Sequence, residues 1–279
     1  MTQSLKTDVD YNDPDFISAL DDMSIWSAPF GIKLLSLVQY RRNIRALDIG
    51  FGAGFPLLEL AMRLGSTCRV FGIDPWKAAF ERTRFKMHHA GVHNVELVEG
   101  VAERMPFEKD FFDLIVSNNG LNNVQDLRTT LSECSRVSRA GGQLVFTFNT
   151  NQTFAGFYEV FRDVLRDAGW TELVATVDEH IEQKRKPVEQ YTALLREEKF
   201  RIVGMDEDEF YFQFSDATAM FHHFFMQIFI GSWKELVPEH ARENIFQQME
   251  QRLNRSAAQG NGLSMHVPFV TMNCLNVKE

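Results

Sequence analysis

The sequence predicts an α/β fold in which a parallel sheet carries helices on both faces. Three observations lead there. Short apolar runs alternate with helical patterns from residue 45 to residue 148, a glycine-rich turn follows the first run, and an acid, Asp74, follows the second. Strands separated by helices return by crossover and lie parallel, and the crossovers cover both faces of the sheet.

The elements follow in order. Residues 14–42 read as helical, with Leu34, Leu35 and Val38 among apolar residues at helical spacing. Arg45–Ile49 is a strand, Pro56–Leu64 a helix with Pro56 in its first turn, and Arg69–Ile73 a second strand. Trp76–Ala90 is a helix stopped by Gly91, and Val95–Val98 and Phe112–Ser117 are the next strands. Asp126–Ser138 reads as a helix stopped by Gly141-Gly142, and Gln143–Phe148 as a fifth strand. After Asn149 the rhythm changes. Thr153–Ala168 is helical, 170–186 a short helix plus linker, and Pro187–Glu198 helical again. Phe200–Met205 and Phe210–Phe214 read as strand segments joined by an acidic turn, Asp206–Glu209. Asp216–Ile230 reads as one apolar helix and Trp233–Ala258 as an amphipathic helix or pair. Leu263–Val277 reads as a last strand, with Pro268 marking an edge or a bulge.

Composition bounds the function. The 279 residues carry 29 Lys+Arg against 38 Asp+Glu, a net charge of −9, so a phosphate backbone has no pull on the chain as a whole. Nucleic acid is therefore not the expected partner. No apolar run reaches the ~18 residues of a membrane span, and the polar, acidic first residues do not read as a signal peptide. Cys68, Cys134 and Cys274 are scattered, so they form no metal-spaced cluster and suit a reducing cytoplasm. No metal is expected. Phe is in excess, 25 against 5 Tyr and 4 Trp, and eight Phe fall between Phe200 and Phe229.

The chemistry starts at Asp48-Ile49-Gly50-Phe51-Gly52-Ala53-Gly54. Glycines after a strand let the backbone turn tightly and approach a ligand closely, and the following helix offers free N–H groups. Asp74 stands 20 residues after Gly54, at the end of the next strand, where an acid suits ribose hydroxyls. Turn and acid together describe an adenosine-containing cofactor. The dinucleotide fingerprint wants a third glycine where Phe55 stands, and Asp48 is badly placed for a pyrophosphate. An anion there suits a cationic group. S-adenosylmethionine, with an ammonium, a sulfonium and no phosphate, fits that charge.

The segments ALDIGFGAG, GIDPW, VEGVAERMPF, FFDLIVSNN and SRVSRAGGQLVFTF occur in order across residues 44–148. This set resembles the class I S-adenosylmethionine-dependent methyltransferases, nearest the small-molecule branch that includes quinone-biosynthesis C-methyltransferases. The resemblance implies a Rossmann-like, seven-stranded, mostly parallel sheet with an antiparallel last strand. It implies a single domain over 1–279: a helical N-terminal lid at 1–43, a cofactor core at 44–150, and a C-terminal half at 151–279 with a helical insertion near 216–260. By resemblance Asp48 reaches the methionine ammonium, Gly50, Gly52 and Gly54 pass under the cofactor, and Asp74 holds the ribose. Trp76 lies near the adenine, Ala102 and Glu103 line its edge, and Ser117 and Asn118 face the methyl. Val101 stands where relatives often carry an Asp that accepts from the adenine, and Asn122-Asn123 stand where they often carry His.

The acceptor side is read from weaker signals. His222, His223 and Asn122 are the candidate bases or substrate contacts, with a helix's polar edge as the plainer reading of the histidines. His88, His89 and His93 are read as surface residues at a helix end. Trp26, Asn119, Asn123, Phe221 and Phe225 are the candidate lining of an apolar or aromatic pocket, weighed against turn and core roles. An apolar insertion must cover something, either an acceptor pocket or a second copy of the chain in a homodimer. Two other functions remain open at this point: a cofactor-binding but catalytically silent partner or sensor, and an NAD-dependent oxidoreductase.

Overall fold

The computed structural model describes residues 9–278, so the polar start read at residues 1–8 lies outside the described residues. The helices are, in chain order, α1 (Pro14–Asp22), α2 (Ser27–Leu37), α3 (Leu57–Leu64), α4 (Ala79–His89), α5 (Leu127–Val137), α6 (Ala155–Asp167), α7 (Leu173–Lys184), α8 (Val188–Glu197), α9 (Ala217–His222), α10 (Met226–Glu235) and α11 (Glu239–Gln259). The strands are β1 (Arg45–Ile49), β2 (Arg69–Asp74), β3 (Val95–Glu99), β4 (Phe112–Asn118), β5 (Ser138–Asn149), β6 (Phe200–Phe214) and β7 (Leu263–Asn276). They form one seven-stranded sheet in the order β3-β2-β1-β4-β5-β7-β6. The pairs among β1 to β5 are parallel, and β5 pairs antiparallel with β7. The expected Rossmann-like sheet with an antiparallel last strand is therefore present.

By contacts the chain divides into two compact units. One holds residues 11–150, 186–208 and the chain from Phe269 onward; the other holds 151–185 and 209–268. In the first unit, alternation along the strands sends side chains to both faces. Leu47, Ile49, Phe71, Phe112, Ile115 and Phe146 pack with Leu131 and Cys134 of α5 and Tyr191 of α8. On the other face Ala46, Val70, Leu114 and Val116 pack with Leu34 and Leu35 of α2, Leu57 of α3 and Phe80 of α4. The second unit is helical, built on α6, α7, α9, α10 and α11, with Phe161, Phe221 and Phe246 among its buried rings.

Several elements differ from the sequence reading, each for a local reason. The N-terminal helix is two helices. After α1 the Ser24 hydroxyl donates to the Asp21 carbonyl at 2.6 Å, and the chain leaves α2 extended at Val38. Gly141-Gly142 do not stop α5. They lie inside β5, where pairing with β4 jumps from Phe112↔Ser138 to Leu114↔Gln143. A Cβ at Gly142 would stand 2.4 Å from Ser138 Oγ, so the glycine permits this bulge. Residues 170–186 are mostly helix, in α7. The acidic run Asp206–Glu209 is no turn: β6 continues through it for 15 residues. As the edge strand among the described residues it presents charge along its outer side. The apolar helix from Asp216 breaks at His223, which leaves α9 with extended dihedrals before α10 begins. Pro268 is not on an edge strand, since β7 lies between β5 and β6. It stands just before the paired run that starts at Phe269↔Asn149, where its missing N–H breaks none of the pairs with β5.

Gly72 tests the packing over β2. A Cβ there would lie 2.7 Å from both Leu57 Cδ2 and Phe51 Cδ1, which are buried and must shift. Gly72→Ala should cost about 1–3 kcal/mol in urea unfolding. Gly156→Ala in α6, where the added carbon meets nothing within 4 Å, should cost nothing. Equal midpoints for the two variants would contradict this packing.

Candidate active site

The site is built at the carboxyl ends of β1, β2 and β4. The chain leaves β1 at Ile49 and turns through Gly50, Gly52 and Gly54 at φ +78°, +52° and +105°, a region side chains rarely adopt. Within this turn Phe51 drops into the core, edge-on to Phe80 at 5.0 Å. The turn is closed by two backbone bonds, Gly50 N–H to the Ile73 carbonyl at 2.9 Å and Gly54 N–H to the Phe51 carbonyl at 2.8 Å. Gly120, after β4, must also be small. A Cβ there would lie 2.5 Å from the Ile49 carbonyl and 2.7 Å from Ser117 Oγ.

Two carboxyls stand at this turn. Asp74 accepts from the Gly52 N–H at 2.8 Å and the Trp76 N–H at 2.7 Å, tying the loop to the end of β2. Its carboxyl is nonetheless raised above the ordinary range, because burial outweighs those two bonds. Asp48 is fully buried, and neither carboxyl oxygen has a formed hydrogen bond. Burial first, and the Asp74 charge second, push it up to about 8, and the nearby Leu57 N–H opposes this only weakly. A buried carboxyl without a partner is costly when ionised. A cation beside Asp48 and Asp74 would favour the charged form of both carboxyls.

The remaining predicted cofactor residues fall into the same unit. The Ser117 hydroxyl is spent inward, donating to the Ile49 carbonyl at 2.9 Å. Asn118 donates to the Ser27 carbonyl at 3.0 Å and accepts from Thr147 at 3.2 Å. Trp76 is half-buried and its indole N–H donates to the Tyr11 carbonyl at 2.8 Å. Val101 is exposed, Ala102 is buried, and one Glu103 oxygen accepts from the Gln125 and Asp126 N–H groups at 2.7 and 3.3 Å. That oxygen is already engaged by the chain.

Asn119, Asn122 and Asn123 form a network in the same unit. Asn119 stands in the left-handed region at φ +60° and accepts from Asn122 Nδ2. Asn122 also donates to Asn149 and accepts from the Tyr191 hydroxyl at 3.0 Å. Asn123 makes a longer bond, 3.4 Å, to the Asn119 carbonyl. Trp26 caps α2 and packs edge-on to Phe30 at 5.3 Å.

The other acceptor candidates lie in the second unit. His222 is exposed, its Nδ1 2.8 Å from the Thr218 carbonyl. His223 is half-buried beside Phe214, its Nδ1 has no partner, and burial lowers its pKa. Phe221 is buried against Phe246, while Phe225 stacks near Phe212 at 5.9 Å. The sequence reading passed over Tyr191, Asn149 and a buried Arg185. Tyr191 carried a signal, an aromatic at the core spacing of α8; Arg185 carried none, because QKRKP reads as a solvated charge run.

Comparisons with known proteins agree with this geometry. Residues 47–146 match a family model described as a methyltransferase domain. The chain is 32% identical over 128 residues to a demethylmenaquinone methyltransferase of Geobacillus stearothermophilus, covering 44% of this chain and 55% of that protein. It thus spans about half the length of the curated relatives it matches. The YcgJ protein of Bacillus subtilis has a similar structure, with a TM-score of 0.59 at 17% identity over 90% of this chain and 99% of that one. A geranyl diphosphate C-methyltransferase of Streptomyces coelicolor, solved with S-adenosylhomocysteine, has a TM-score of 0.55 at 15% identity, covering 94% and 84% of the two chains. The fold is that of the class I S-adenosylmethionine-dependent methyltransferases, and the match to the methyltransferase-domain model falls on the part of the chain that carries the glycine turn and both acids.

The charge at Asp48 sets a pH dependence. Its folded pKa, about 8, lies above the ordinary 3.8, so the folded state keeps a proton that the unfolded chain releases. Stability should therefore fall as pH rises from 4 to 8 and level off outside that window. Asp48→Asn should flatten the slope of the thermal midpoint across this range, in protein without ligand. Identical slopes in the two proteins would show that Asp48 is not held protonated.

Proposed function

We propose that the chain transfers the methyl group of S-adenosylmethionine to a small acceptor with an apolar or aromatic body. The observation that carries this reading is the pair of acids at the glycine turn. Asp48, buried and unpartnered, and Asp74, with one N–H on each oxygen, form a pair of acids against the turn whose charged forms a cation would favour. A dinucleotide would bring a pyrophosphate to that pair, whereas S-adenosylmethionine brings a cation. Asp48 would face the ammonium, Asp74 the ribose hydroxyls with its remaining lone pairs, and Gly50 and Gly52 would let the backbone lie against the ligand.

The bound donor supplies a methyl already activated on a sulfonium. The chain then has to hold the acceptor in line and exclude water. Ser117 and Asn118, whose side chains are fixed by Ile49, Ser27 and Thr147, supply a rigid wall beside the turn. The bonds of Asn119, Asn122, Asn149 and Tyr191 hold the loop after β4 in one conformation. The similarity to demethylmenaquinone methyltransferase favours an aromatic acceptor, and the excess of Phe agrees with it. The three cysteines are buried and unpaired, which suits the cytoplasm. A second reading, a cofactor-binding protein without turnover, draws on Val101 and the engaged Glu103, which leave the adenine edge short of an acceptor.

Calorimetry and mass-detected transfer to a metabolite extract separate the readings. S-adenosylmethionine should bind, and acceptors should gain the mass of a methylene. Asp74→Ala should weaken binding about 10- to 100-fold, the value of hydrogen bonds to a charged group. Tight NAD binding without S-adenosylmethionine binding would end the proposal, and binding without any transfer would favour the silent protein.

A further inference from the structure

The second unit buries a cation that its own residues do not neutralise. Arg185 closes the C-terminus of α7 and is 5% exposed. Its guanidinium lies 6.0 Å from the ring centroid of Phe154, which caps α6, and 5.8 Å from that of Tyr158 within α6. Nη1 makes one long hydrogen bond, 3.4 Å, to the Tyr158 hydroxyl, and that hydroxyl also accepts from the Trp233 indole at 2.9 Å. Nε is buried without a partner, and Nη2 donates no hydrogen bond to the described residues. No described carboxylate pairs with Arg185.

Arginine stays charged in a protein interior, so the usual escape of losing the proton is closed. A buried charge of this kind is normally met by a carboxylate or several strong acceptors. Here it meets ring faces at the outer limit of cation–π range and one weak bond. The other titratable neighbour offers nothing. His180, near Tyr158, is pushed down to about 4 by burial and by the cations Arg185 and Lys184, and is neutral at physiological pH.

The two nitrogens that make no hydrogen bond to the described residues, the buried Nε and its neighbour Nη2, are adjacent. Nε and Nη2 form the side-on edge of the guanidinium, the edge that takes both oxygens of a carboxylate. Tyr158 occupies the opposite side of the group through Nη1. Phe154 and Tyr158 supply ring faces beside it, and Trp233, bonded to the Tyr158 hydroxyl, stacks on Phe157 at 4.0 Å. A bidentate cationic edge among aromatic rings matches a planar carboxylate on an aromatic or alkyl body.

We propose that Arg185 is a binding residue for an oxyanion, and that the second unit recognises small apolar acids through its unpaired Nε–Nη2 edge. The proposal rests on the methyltransferase reading only in taking such an acid as the acceptor class. Binding of the acid itself does not depend on the cofactor. The carboxylate is the recognised group, and the atom methylated is left to the rest of the acceptor.

The test compares 2-naphthoate with its neutral, nearly isosteric amide, by calorimetry on the full chain without cofactor. The naphthoate should bind at least tenfold more tightly. Arg185→Gln should abolish the preference, and Arg185→Lys, which keeps the charge and loses the fork, should keep part of it. Circular dichroism checks that each variant is folded, and the wild-type comparison stands even if one is not. Equal affinity of acid and amide in the wild type, no binding of either, or a preference that survives Arg185→Gln would overturn the proposal. So would a loss of S-adenosylmethionine affinity in Arg185→Gln equal to the loss of naphthoate affinity, since Arg185 would then serve the donor. Failure of methyl transfer with intact naphthoate preference would count against the enzyme reading and leave this site standing.

Discussion

Two buried carboxyls at one end of the sheet are the constraint on which the site depends. Asp48, one residue before the end of β1, and Asp74, the last residue of β2, stand on neighbouring parallel strands in register with Gly72 and Glu99, so the sheet itself brings them together. The glycine turn must pass this pair of acids, and it does so by lending the Gly52 N–H to Asp74. That bond neutralises little. Both carboxyls remain raised above the ordinary range. The unbound fold therefore stores electrostatic cost where a cation would remove it, and the cost selects the charge of the ligand before any shape does.

Glycine makes this arrangement compact. The turn needs positive φ at Gly50, while Gly120 is needed because the loop after β4 crosses the end of β1 with no room for a Cβ. The two loops are thereby held against each other by backbone, and the side chains between them are fixed. Ser117, which resemblance placed toward the methyl, turns its hydroxyl to the Ile49 carbonyl. Any contact it offers a ligand has to come from its backbone or its carbon.

Parts of this were legible in the sequence because they rest on backbone rules. A glycine turn between strand and helix, and an acid one strand later, can be read from spacing alone. Strand continuity in β6 was not legible. Asp206–Glu209 looks like a turn because charged residues rarely sit in a strand, yet an edge strand tolerates them, and Asp206 pairs with Lys33 at 3.0 Å. The break at His223 was hidden for the opposite reason: uniform apolar character carries no marker of where a buried helix stops. Gly141-Gly142 were misread as a stop because a bulge and a helix terminus want the same residue.

Arg185 shows why acceptor recognition is harder to read than donor recognition. Donor contacts are set by backbone geometry that one residue type, glycine, announces. Acceptor contacts are set by which side chains a variable helical unit happens to bury. In QKRKP, three of the five residues are cations, and nothing in their order says which one is enclosed. Burial falls on Arg185 because α7 ends there, with its backbone N–H on the Ile181 carbonyl, and the side chain meets the rings of Phe154 and Tyr158. The excess of Phe is divided by the same logic. Phe71, Phe112, Phe146 and Phe148 belong to the sheet, where alternation predicts them. Phe154 and Phe157 belong to the ring cluster that Arg185 and Trp233 complete, and only the packed structure assigns them there.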